Sequence, residues 1–309
     1  MSRRGWVLFI AMAVIWGIPY LLIKVAVGDL SPVLVVVGRC VIGAALLLPW
    51  AIAKGWLRPA LRHWRALLLF TALEMTVPWL LLSWAETSLS SSLTGLLVAS
   101  VPFVAALTAW LAGDEDRLTA VRVLGLLIGL GGIVLLLGLD VTADQLLPIG
   151  AIVLVVIGYA TAPMVVTRSL SEVPGVAASA VALTVTAVVY APFAAGDLGQ
   201  LGGASANALL SLVVLGVVCT AVALALFFAL IREVGPQRAL VITFLNPAVA
   251  VLLGVLLLDE PFTLGLALGL PLVVLGCVLA TRRSPRTQAL PVPDADAPPG
   301  GVARPAPTG

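Results

Sequence analysis

Charge is scarce in this chain. Asp, Glu, Lys and Arg together supply 10% of its residues, against roughly 25% in a soluble domain, too little to clothe a core in water. Histidine occurs once, at His63 in a basic turn, and cysteine only at Cys40, Cys219 and Cys277. Three isolated cysteines inside apolar stretches make neither a disulfide framework nor a zinc site, so they read as small buried hydrophobes. No Gly-x-x-x-x-Gly-Lys-Ser/Thr loop occurs, which removes ATP as a direct energy source. A net charge of +2 leaves no basic surplus for nucleic acid. No metal and no cofactor are expected.

Apolar residues fill the space that charge leaves, at 61% of the chain. A β-barrel would alternate apolar and polar residues, and that alternation is absent. Instead, continuous apolar runs are separated by short charged turns, and each run approaches the roughly 20 residues needed to cross a bilayer. Ten runs are predicted, at 6–27, 33–53, 64–84, 91–111, 118–139, 149–168, 176–194, 208–230, 237–258 and 262–281. The expected fold class is therefore all-α integral membrane. Ser2-Arg3-Arg4 faintly resembles an export signal, but the following run is too long and nine more come after it. Residues 284–309 carry Pro291, Pro293, Pro298, Pro299, Pro305 and Pro307, a composition expected to form a disordered cytoplasmic tail.

Landmarks recur half a chain apart. Pro19 and Lys24 return as Pro163 and Arg168, Pro102 and Glu115 as Pro247 and Glu260, and Thr119, Gly125 and Gly132 as Thr263, Gly269 and Gly276, at offsets of 144 or 145 residues. Residues 1–139 and 149–283 are thus expected to be two five-helix repeats. Lys and Arg cluster in alternate turns: Arg3 and Arg4; Lys54, Arg58, Arg62 and Arg65; Arg117 and Arg122; Arg168; Arg232 and Arg238; Arg282, Arg283, Arg286 and Arg304. The opposite turns carry Asp29, Glu86, Asp140, Asp144, Asp197, Asp259 and Glu260. Because basic loops stay inside, both termini are placed in the cytoplasm. Five helices per repeat then insert the copies in opposite senses, an architecture recurrent in secondary transporters with a midplane site.

Trp6, Trp50, Trp56, Trp64, Trp84 and Trp110 fall at run ends, where aromatic rings anchor at the headgroups. Gly125 and Gly129 with Gly131 and Gly132, and Gly265 and Gly269 with Gly276, are placed on one side of runs five and ten, for close packing in the bundle or in a homodimer.

Polar groups inside spans are costly and tend to face a cavity or a partner. Lys24 lies near the external end of helix one, Arg39 inside helix two and Glu74 near the middle of helix three. Arg39 and Lys24 suit an anionic group of a solute, and Glu74 an amine or a coupling proton; an internal Arg39–Glu74 ion pair is the competing reading. Trp16, Tyr20 and Lys24 are spaced by four residues, which puts two rings and a cation on one stripe of a continuous helix. They form either a wall for the solute or helix packing. Pro19, Pro78, Pro102, Pro163 and Pro247 interrupt runs, each freeing a carbonyl and marking a kink or hinge. Asn246 can bond a solute or that freed backbone.

On these residues the chain resembles the EamA family of the drug/metabolite transporter superfamily from Trp6 to Arg283. Trp16-Gly17 followed by Lys24 is similar to the family's first helix, and Pro32 through Arg39 to Ala44-Ala45-Leu46-Leu47-Leu48-Pro49 to its second. Pro102 with Glu115 and Leu118, and Asn246-Pro247 with Glu260-Pro261, are similar to its paired half-repeat endings. The resemblance implies a ten-helix inner-membrane carrier whose cavity is lined by helices one to four and six to nine, often exporting amino acids or other small metabolites. Gly113 to Arg117 holds extra acids, Ser88 to Ser92 is unusually serine-rich, and Glu74 matches no family position. The expected function is export of a small amphipathic solute, with the solute and the bilayer as partners. A lipid or lipid-linked carrier flippase and a sensor or interaction protein are the alternatives. An enzyme is not expected, since Asp114 to Asp116, the clustered acids, sit in a turn with no nucleophile–base pair.

Overall fold

The computed structural model describes residues 2–111, 120–140, 142–234, 239, 242–243 and 245–280. Asp114 to Arg117, Thr119, Arg238, Arg282, Arg283, the side chains of Trp110 and Asp140, and the tail 284–309 lie outside the described residues.

All regular structure among the described residues is helical. Seven helices are long and apolar enough to cross a membrane: α1 (Arg3–Ala26), α2 (Pro32–Ala53), α3 (Trp64–Ala85), α4 (Ser91–Thr108), then, after α5, α6 (Ala143–Ser169), α7 (Gly175–Asp197) and α8 (Ala206–Val234). Three are apolar but shorter: α5 (Ala120–Leu136), α9 (Asn246–Leu257) and α10 (Leu264–Leu279). Serine starts several of them. Ser31, Ser90 and Ser205 accept from the backbone N–H groups of Leu34, Leu93 and Ala208, satisfying donors that the first helical turn leaves open.

The principal contacts between helices all join the first half of the chain to the second: α5 with α10, α2 with α7, α3 with α6, α4 with α9 and α1 with α8. Exchanging each helix with the one five places later maps this set onto itself. Leu127, Leu147, Val188, Phe193 and Leu256 stand exposed on the outer surface, whereas the α2–α7 seam buries Ala44, Ala177, Ala180 and Leu183. Large apolar groups outside and small residues within are what lipid as solvent favours. The glycine stripes of α5 and α10 face each other: a Cβ on Gly276 would meet the Gly129 nitrogen at 2.5 Å and the Gly125 carbonyl oxygen at 2.7 Å. That close approach leaves these glycines to packing within the bundle.

The prolines divide into three kinds. Pro19 follows a break in α1 at Ile18, and Pro78 enters the first turn after a π-helical stretch of α3. Pro102 and Pro247 are each the second residue of a helix, in Val101–Leu111 and Asn246–Leu257. There the missing N–H breaks no helical bond, so the expectation that Pro102 and Pro247 each free a carbonyl in mid-helix does not hold. Pro163 lies within the continuous helix Leu146–Ser169, so Pro19 and Pro163 do not produce equivalent breaks.

Candidate functional site

Two π-helical stretches define the centre of the bundle. Ala72–Thr76 in α3 and Val217–Val222 in α8 begin 145 residues apart, the offset of the sequence landmarks. A π-turn inserts a residue into the helix and redirects side chains, which is why such turns gather at functional sites. Side chains also bond to the loosened backbone. Tyr190 of α7 donates to the Thr76 carbonyl at 3.0 Å, Thr76 and Thr186 share a hydroxyl hydrogen bond at 2.9 Å, and Thr220 donates to the Leu215 carbonyl at 2.8 Å.

Arg39 of α2 reaches between the two stretches. Its Nε–H donates to Thr220 Oγ1 at 2.8 Å, and its guanidinium carbon lies 3.7 Å from the centroid of the Trp79 ring. That stacking is worth about 0.5–2 kcal/mol, more as water is excluded. Trp79 faces the Tyr159 hydroxyl of α6, and Tyr159 is within electrostatic reach of both Arg39 and Glu74. No ion pair joins Arg39 to Glu74. Arg39 spends only Nε on the protein, so its terminal nitrogens keep their donors. Glu74, in the first π-stretch, is half-buried. Arg39, stacked on Trp79, and Glu74, within electrostatic reach of Tyr159, thus both keep unspent hydrogen-bonding capacity.

The remaining predicted residues separate. Trp16 precedes the break in α1 and packs on Phe227 of α8, with centroids 4.7 Å apart. Tyr20 follows the break, lies against Gly95 of α4 and is within electrostatic reach of Arg39 and Glu86. Lys24 donates to the carbonyls of Glu86 and Leu89 at 2.7 and 2.8 Å, strapping α1 to the α3–α4 turn. The Asn246 amide, in its satisfied orientation, donates to the carbonyls of Ile242 and Ala13 at 3.0 and 3.1 Å. Its partners are backbone. His63 lines a surface recess of about 380 Å³ with Arg62, Trp64, Arg65 and Ser169, apart from this cluster.

At the end of the bundle beside Lys24, acids from the turns come inward. Glu260 accepts from the Ser91 and Ser92 N–H groups at 2.6 and 3.0 Å and from Ser92 Oγ at 2.5 Å, a carboxylate cap on α4 that the helix dipole favours. The turn that aims it is closed by Asp259 in the left-handed region, φ 52°, with the Glu260 N–H on the Gly254 carbonyl at 3.1 Å. The serine-rich start of α4 thereby acquires a purpose. Glu86 lies in the turn where the sequence puts it and is fully buried there, at 0% exposure. Burial pushes its carboxyl well above the usual carboxylate range, Glu260 adds to the shift and Lys24 opposes it. Across the same end, Asp29 accepts from the Ser205 N–H at 2.8 Å, and hydrogen bonding from the Ser205 side chain first, and its N–H second, holds the carboxyl below the usual range. Ser31 donates to Asp197 at 2.5 Å, and its N–H to Gln200 at 2.7 Å.

Sequence reasoning found Arg39 and Glu74 through their cost in lipid, but missed Trp79, Tyr159 and Thr220. Nothing in a sequence of apolar runs marks a π-turn. The one available signal was the offset itself, since Thr220 occupies the stretch that repeats the one holding Glu74.

Comparison with known proteins adds the lineage. An uncharacterized transporter of Archaeoglobus fulgidus is 26% identical over 287 residues, covering 91% of this chain and 99% of its own. The uncharacterized inner membrane transporter YedA of Escherichia coli is 29% identical over 280 residues, 88% of each chain. A solved structure titled only as the crystal structure of a protein shares the fold at TM-score 0.65 and 19% identity, over 91% of this chain and 98% of that one. The model of the EamA-like transporter family matches twice, at residues 3–138 and 146–282, and the chain belongs to that family of membrane transporters.

Proposed function

We propose that the protein is a secondary exporter of small amphipathic solutes, amino acids or related metabolites, working by alternating access. Arg39 holds the solute's anionic group and Glu74 its amine, with Trp79 and Tyr159 as the apolar floor. The observation that carries this reading is that Arg39 and Glu74 do not neutralise each other. Each retains hydrogen-bonding capacity beside a shared aromatic pair, the arrangement a zwitterion needs. A charge in a span is retained where it serves a pathway.

The two halves act as inverted five-helix repeats making ten crossings, with both termini in the cytoplasm of an inner membrane. The reading draws support from the exchange-symmetric helix contacts, the π-stretches 145 residues apart, the double family match, the basic bias of alternate turns and the inner-membrane relative. The break before Pro19, the π-stretch before Pro78 and the helix starts at Pro102 and Pro247 serve as hinges. Energy comes from a gradient.

The test compares metabolites in the medium of cells expressing the wild type, Glu74→Gln at matched membrane level, or neither. Solutes enriched outside by the wild type and not by Glu74→Gln support the proposal and identify the cargo. Equal enrichment by both would remove Glu74 from the mechanism. No difference from empty cells would discard export and bring lipid transport forward.

A further inference from the structure

Glu86 has a carboxyl group that nothing serves. It is fully buried, and neither oxygen has a hydrogen-bond partner. Lys24 stands beside it, yet the ammonium bonds to the carbonyl oxygens of Glu86 and Leu89 and bypasses the carboxylate. Glu260 claims the other nearby donors, the two N–H groups at the start of α4 and the Ser92 hydroxyl. Ser91 Oγ, buried next to them, is also without a partner.

The charge count decides the state. Among the described residues, the charged and titratable groups facing Glu86 are Lys24 and Tyr20 from α1 and Glu260 from the turn between α9 and α10. From α2, Arg39 stacks on Trp79 and bonds Thr220 through Nε; from α6, Tyr159 faces Trp79. One ammonium therefore serves two carboxyl groups. Glu260 is met by three donors, while an ionised Glu86 would be buried with none, which is prohibitive. Gly254 holds open the space beside them, since a Cβ there would meet Glu260, Ser92 and Ser91.

We propose that Glu86 is the coupling-proton site: it carries a proton in this conformation and, on releasing it, draws Lys24 off the two carbonyls into an ion pair. The proton arrives from water at the acidic end of the bundle and leaves to water after rearrangement. The Lys24 strap spans α1 and the α3–α4 turn, so its transfer loosens two helices that flank the Arg39 cluster. This inference rests on the transport reading and adds the ion that drives it.

The experiment has a spectroscopic and a flux arm, both on the full chain in lipid. Infrared spectra across pH should contain a protonated-carboxyl band that disappears as pH rises. Glu86→Gln, which mimics the protonated group, should fold and lack it, Glu74→Gln should keep it, and Lys24→Met should move its midpoint upward. A band unchanged in Glu86→Gln overturns the site. In vesicles, efflux of a labelled amino-acid mixture should accelerate with an inward proton gradient for the wild type and lose that dependence in Glu86→Gln. Equal proton dependence in both, or dependence on sodium at constant pH, overturns the coupling role. No efflux by the wild type, with the band still assigned to Glu86, would refute the transport reading and the coupling with it, leaving a structural proton.

Discussion

Arg39 and Trp79 form a stacked pair, with the guanidinium carbon 3.7 Å from the indole centroid. Trp79 belongs to α3 and Thr220, the other partner of Arg39, to α8, so one side chain is held by two helices at the level of their π-stretches. Any relative shift of α3 and α8 must release one of the two contacts. That makes Arg39 sensitive to conformation as well as to solute, a property a simple buried ion pair would not have.

Replacing Arg39 with Lys keeps the charge but loses the planar stack and the Nε geometry, which a point-charge ammonium does not reproduce. Efflux should fall at least about tenfold, corresponding to roughly 1.4 kcal/mol, with normal membrane levels. Thr220→Val removes the neutral partner only and should cost less. Solute competition at graded concentrations checks both, and an Arg39→Lys variant with wild-type flux would show that the positive charge alone suffices.

The Glu260 cap predicts a stability effect separate from transport. Glu260→Gln keeps the size but loses the charge that faces three donors of α4, and caps of this kind are worth about 0.5–2 kcal/mol. The midpoint of thermal unfolding in detergent should drop. Asp259→Gly, at φ 52°, should move it the other way, since glycine takes the left-handed region without a steric penalty.

The apolar runs made the helices legible because a bilayer imposes one length and one composition on every span. The same uniformity hid the site. Arg39 and Glu74 stood out as charges in lipid, whereas Trp79 looked like any interfacial or packing aromatic and Thr220 like a tolerated hydroxyl. The stripe of Trp16, Tyr20 and Lys24 presumed an unbroken helix, and the break at Ile18 gives the three residues different neighbours. Glu86 was read as a turn acid because it follows a run end; only tertiary packing buries it.

At the acidic end of the bundle, Asp29 binds the start of α8 through the Ser205 N–H, and hydrogen bonding from the Ser205 side chain and N–H favours its ionised form. The folded carboxyl is depressed below its ordinary value of 3.8, so its contribution is present above that value and is lost as pH falls through the folded one. Asp29→Asn should therefore lower unfolding temperature at neutral pH, with the gap to wild type closing in acid. Glu86 works in the opposite sense: its raised carboxyl adds no penalty below the ordinary value of 4.5, and stability declines as pH rises toward the folded value. Unfolding temperatures of Asp29→Asn and Glu86→Gln across pH separate the two, because their differences from wild type should grow at neutral pH with opposite signs.

The α5–α10 pair offers a control in which packing and transport come apart. A Cβ on Gly276 would press on backbone atoms of Gly129 and Gly125, which cannot rotate away as a side chain would, whereas a Cβ on Gly131 meets nothing within 4 Å. Gly276→Ala must push the helices apart, an overpacking penalty of about 1–3 kcal/mol, while Gly131→Ala should be neutral or slightly stabilising through helix propensity. Since α10 packs chiefly on α5 and neither helix supplies Arg39, Glu74 or their partners, Gly276→Ala should reduce the amount of folded protein in the membrane without changing efflux per folded molecule. If instead Gly276→Ala kept full expression and slowed efflux per molecule, the α5–α10 seam would be a moving part of the transport cycle.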